Sequence, residues 1–118
     1  MKRRGHAIAA LLLGASLLPA CAQPPAAGST RVFKSVGSLQ CSGGGTPLPE
    51  LARQLTDAGV SVSASSCGTD GRMHAARCGG SDGRIAIFEI PAAAAPAAEK
   101  LGFAALTKLP EAQATTCP

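Results

Sequence analysis

The sequence has no tryptophan and no tyrosine, and its only aromatic residues are three phenylalanines. Proteins that hold single-stranded nucleic acid stack bases on aromatic rings, and duplex readers present a basic face. Once Lys2, Arg3 and Arg4 are set aside, eight basic residues remain against seven acidic ones, and they are scattered along the chain. Nucleic acid is therefore not expected as a partner. Histidine is scarce too, with His74 the only one beyond His6. Cysteines at C-x-x-C spacing are missing, and ten residues separate the nearest pair, Cys67 and Cys78. Zinc sites and thioredoxin-type dithiols both use that spacing, so no metal and no cofactor is expected. The serines at Ser61, Ser63, Ser65 and Ser66 lie outside any nucleophile-elbow pattern, and His74 would be their sole base. No catalytic residue is assigned and no enzyme activity is expected. Glu89 is the carboxylate closest to a proton-donor setting, with a strand-edge role beside an arginine as the plainer alternative. The run CSGGGTP from Cys41 joins a strand to a helix but lacks the lysine and Ser/Thr of a phosphate loop.

No apolar run is long enough to span a bilayer, which takes about 20 helical residues. The longest, Ala7 to Leu18, follows Lys2, Arg3 and Arg4 and precedes the small residues Ala20, Cys21 and Ala22. Charge, apolar run and small residues in that order mark residues 1–20 as a secretory signal peptide. Two cleavage sites compete. Leu18-Pro19-Ala20-Cys21 looks like a bacterial lipobox, in which Cys21 is acylated and becomes the new N-terminus. Ala20-Cys21-Ala22 also fits the small-x-small rule, with cleavage before Gln23. The uncharged Pro/Ala/Gly/Ser stretch AQPPAAGST after Cys21 suits a tether, which favours the lipobox. Residues 21–30 are thus assigned as lipid-anchor cysteine and tether, and 31–118 as one folded domain. Ala22, where an aspartate would retain a lipoprotein at the inner membrane, implies sorting to the outer membrane, facing the periplasm.

Within that domain, Arg31 to Cys41 reads as an imperfect strand. Leu48, Leu51, Ala52 and Leu55 form a helical stripe, with Thr46 as cap, Pro47 and Pro49 in the first turn and Gly59 as terminator. Val60 to Ser65 alternates apolar with serine as a half-buried strand does, and Gly68 to Gly71 reads as a turn. Arg72 to Cys78 is a weaker strand, and Ile85 to Ile90, apolar on both faces as far as Glu89, reads as a central one. Ala92 to Leu101 is helical by propensity, Phe103, Leu106 and Leu109 return to the sheet, and Pro110 to Pro118 is irregular. The expected fold is α+β: three to four strands with two helices on one face, in the order βαβββα.

Cys41, Cys67, Cys78 and Cys117 form an even set in a small exported domain, which predicts two disulfides. Parallel first and second strands favour Cys41–Cys67 with Cys78–Cys117. A loop at Arg72 to Arg77 would instead favour Cys67–Cys78 with Cys41–Cys117.

The string LARQLTDAGVSVSASSCGTDG…CGGSDGRIAIFEIP…LGFAAL, from Leu51 to Leu106, resembles small uncharacterised envelope proteins of proteobacteria. The resemblance implies no activity. Together these readings describe an outer-membrane lipoprotein, joined to the membrane through its N-terminal lipid, with a non-enzymatic binding or assembly domain for an envelope partner. The alternative is a periplasmic redox or enzyme-accessory protein, soluble or secreted, that uses its cysteines.

Overall fold

A computed structural model describes residues 28–118, together with Gly14. Apart from Gly14, the signal peptide, Cys21 and the tether as far as residue 27 lie outside the described residues. The remaining tether residues belong to the domain: Ser29 and Thr30 open the first strand, and the Ala92 amide donates to the Gly28 carbonyl.

The elements are β1 (Ser29–Ser35), α1 (Leu48–Asp57), β2 (Ala64–Thr69), β3 (Arg84–Pro91), α2 (Ala95–Lys100), β4 (Ala104–Ala105) and β5 (Gln113–Thr115). A 3-10 turn at Ala92–Ala94 leads into α2, and another at Leu106–Lys108 follows β4. The fold is α+β, as expected, but the sheet has five strands in the order β4-β1-β3-β2-β5, and every neighbouring pair is antiparallel. The expected βαβ unit survives only as direction. β1 and β2 both run opposite to β3, so they are parallel to each other, but β3 lies between them. The cause is hydrophobic. Ile85, Ala86, Ile87, Phe88 and Ile90 are all buried, and a strand apolar on both faces gains most from the middle of a sheet covered on both sides.

Both helices cover one face. Ala86, Phe88 and Ile90 pack with Val32, Leu51, Leu55, Val60, Ala98 and Phe103, and the Phe88 and Phe103 rings meet edge to face at 5.8 Å. The chain then passes round the sheet edge through β4. Leu106 and Leu109 therefore reach the opposite face, against Ile85, Ile87 and Phe33. Lys34 ties the helical layer together: its Nζ donates to Gln54 Oε1 on α1 and to the Leu101 carbonyl at the end of α2, 5.0 Å from the centre of the Phe103 ring.

The two helices end alike. The Val60 amide bonds to the Leu55 carbonyl and the Gly59 amide to that of Thr56, with Gly59 at φ 82°. Phe103 and Gly102 repeat the pattern on Ala98 and Glu99. These are Schellman closures whose outer residues, Val60 and Phe103, are pulled into the core. At the other end α1 departs from expectation. Its N-cap is Pro47 and not Thr46, and no side chain bonds the free amides there.

Three strand expectations are corrected. The second strand begins at Ala64 and not Val60: its ladder with β3 starts at Ala64 opposite Glu89, although β3 itself runs on to Pro91. Gly68 is a strand residue and not a turn: an added Cβ would lie 2.7 Å from both the Gln113 carbonyl oxygen and Ile87 Cδ1, so the close approach of β5 requires glycine. Arg72 to Arg77 is exposed loop: its apolar residues Met73, Ala75 and Ala76 are not buried, and Met73 is wholly in solvent. Of the tail Pro110 to Pro118, expected to be irregular except where Cys117 pins it, Gln113–Thr115 forms β5.

Candidate functional site

The chemistry-bearing residues gather at one end of the sheet, where β1 finishes, β3 begins and the loop from Asp70 to Gly83 folds over. Gln40 organises that loop. Its Nε2 donates to the carbonyls of Ala75 and Ser81, and its Oε1 accepts from the Arg77 amide. Its main chain pairs with Gly79 and Gly80. This pairing brings Cys41 alongside Cys78, and the two form a disulfide with their Cα atoms 5.1 Å apart.

Beneath it, the buried Ser38 hydroxyl donates to Asp82 Oδ1 at 2.7 Å, and the Arg84 amide donates to the same oxygen. Burial works against the Asp82 carboxylate. The Arg84 amide, the Ser38 hydroxyl and the Arg84 guanidinium outweigh it and hold the pKa below the usual 3.8.

His74 Nε2 lies 2.8 Å from Asp70 Oδ2, and Asp70 Oδ1 accepts from the Arg72 amide. The pair closes the loop on itself. Among the described residues, no serine or threonine hydroxyl bonds to the His74 ring, and no three His, Cys, Asp or Glu residues cluster as a metal would need. The serines are elsewhere: Ser65 and Ser66 lie in β2, and just before that strand Ser63 donates to the Glu89 carbonyl.

Glu89 is half-buried in the central strand β3, not at a sheet edge, and lies across from Arg31 of β1. The two make no ion pair, and both line an open cleft of about 480 Å³ floored by Leu106 and Leu109. The CSGGGTP run turns back toward the end of β1, and the Thr46 amide bonds to the carbonyl of Val36, just past that strand.

A larger, mainly apolar cleft of about 690 Å³ opens between the start of α1 and the end of β2. Val36, Leu48 and Ile85 line it, and the segment Thr115 to Pro118 walls one side. That segment is held by the second disulfide, Cys67–Cys117, whose Cα atoms are also 5.1 Å apart.

All four cysteines are thus in disulfides, but neither anticipated pairing is the one formed. With β3 between β1 and β2, Cys41 and Cys67 are not edge neighbours. Cys67 lies within β2, where its register partner is Thr115, two residues from Cys117. Comparison with known proteins finds no matching family model, no matching curated protein and no matching solved structure.

Proposed function

We propose that the chain is exported to the bacterial envelope and works there as an outer-membrane lipoprotein, anchored through Cys21 and carrying a small non-enzymatic binding or assembly domain. The observation that carries this reading is the pairing of every cysteine beyond residue 40 into disulfides. Oxidising compartments sustain that state and the cytosol does not. The order of charge, apolar run and small residues over residues 2–22 supports the same address. Since β1 starts at Ser29, the seven residues Ala22 to Gly28 form the whole connection to an acylated Cys21. Fully extended they reach about 25 Å, which would hold the domain close to the lipid surface. The mainly apolar cleft beside Leu48 is the concave surface best suited to a partner.

The anchor is tested at one atom. Wild type is expected in the detergent phase and to incorporate a fatty-acid label, whereas Cys21→Ser is expected to be soluble or unprocessed and unlabelled. Identical soluble fractionation of both proteins, without label, refutes the anchor and leaves cleavage before Gln23.

A further inference from the structure

The two disulfides are not equivalent in what depends on them. Cys41–Cys78 joins segments that are also held by the five hydrogen bonds of Gln40 and by the Ser38–Asp82 bond, so the loop keeps its ties without it. Cys67–Cys117 has no such support. β5 is three residues long, all exposed, and pairs only with Cys67–Thr69. The last anchored side chains before it are Leu109, which is buried, and Ala112, which packs against the same cluster. From Gln113 onward, a short ladder and one covalent bond hold the chain in place.

We infer that Cys67–Cys117 is a redox-operated latch. Reduction frees residues 113–118 from the sheet, uncovers the outer edge of β2 at Cys67–Thr69 and removes one wall of the large apolar cleft, while the core stays folded. The reductant is a dithiol protein. Its thiolate attacks the sulfur of Cys117, an exposed residue, the Cys67–Cys117 bond breaks, and Cys67 leaves as a thiolate that takes up a proton. The second thiol of the reductant then attacks the mixed disulfide, releasing Cys117 as a thiol and leaving the reductant oxidised. The two electrons gained by this chain are those lost by the dithiol. The latch does not depend on lipidation at Cys21, so it can fail while the anchor stands.

The test uses the processed protein and NMR relaxation. In Cys67→Ser/Cys117→Ser, backbone order parameters at residues 113–115 are expected to fall below about 0.6 while those of β3 stay near about 0.85. In Cys41→Ser/Cys78→Ser, residues 113–115 are expected to remain ordered. Residues 113–115 staying rigid in the first variant, or its whole spectrum collapsing to that of an unfolded chain, overturns the latch. The chemistry is read separately with a thioredoxin-type C-x-x-C protein whose second cysteine is replaced by serine. A trapped mixed disulfide at Cys117 is expected. An adduct confined to Cys41 or Cys78, or none, overturns the proposed reduction.

Discussion

Single side chains at the loop end set how the domain answers to acid. The Asp82 carboxylate accepts from Ser38 and from the Arg84 amide, and its pKa is held below the ordinary value. A depressed folded-state pKa means that the unfolded chain takes up the proton first as the pH falls. The stabilisation is therefore complete above about pH 4, the ordinary range of an aspartate, and is lost as the pH drops through the lower folded value. Asp82→Asn should cost on the order of 1–2 kcal/mol at pH 7 and nothing once the pH is below both values. Urea midpoints followed from pH 7 down through the acid range check this, and a deficit that does not shrink as the pH falls would show that shape, not charge, matters at this position. This part of the site was poorly legible in advance. His74 and Glu89 stood out because their types are rare or charged, yet Glu89 sits in the central strand opposite Arg31 without pairing to it, not at an edge. Gln40, which ties the loop, gave no signal. A glutamine in a turn region looks like any polar surface residue until its carbonyl partners, 35 and 41 residues away, are known.

Among the elements, helix ends were read more surely than strand ends. A helix is punctuated locally, so Gly59 and the stripe of Leu48, Leu51, Ala52 and Leu55 located α1 correctly without knowledge of the rest. Gly59 has open space where a Cβ would go, and its φ of 82° is the constraint. Gly59→Ala is thus expected to cost about 1–2 kcal/mol through backbone strain alone. Thermal unfolding of the variant measures it, and an unchanged midpoint would show that the helix end can be rebuilt. Strands are defined by partners far along the chain, and there the reading slipped. The alternation of Val60 and Val62 with serine reflects real burial, yet the ladder to β3 starts only at Ala64. Gly68 was mistaken for a turn because sequence cannot separate a glycine that bends the chain from one that lets another strand come close. β5 buries no side chain, so it left no hydrophobic trace at all.

At the scale of the whole molecule, layer and class were legible from pattern, while strand order and cysteine pairing were not. Recognising Ile85 to Ile90 as central was right; placing β1 and β2 side by side ignored that a strand apolar on both faces must lie between covered neighbours. The cysteine assignment inherited that error. The pairing found, first with third and second with fourth, makes the closed loops overlap: Cys67 falls inside the loop closed by Cys41–Cys78, and Cys78 inside that closed by Cys67–Cys117. This overlap has a consequence for biogenesis. If the chain is exported as proposed, threading N-terminus first presents Cys41 and then Cys67 to the oxidising side, before either native partner has emerged. An oxidase that joins thiols as they arrive would link those two, and the mispair must later be undone by exchange. Rapid alkylation of newly exported chains should therefore capture a Cys41–Cys67 species that matures only where a disulfide isomerase is present. Finding Cys41–Cys78 as the first bond, at full yield without an isomerase, would count against this order of events. On the proposed export route, the native set of bonds closes only once Cys117, 50 residues behind Cys67, has crossed as well, and maturation waits for that last cysteine.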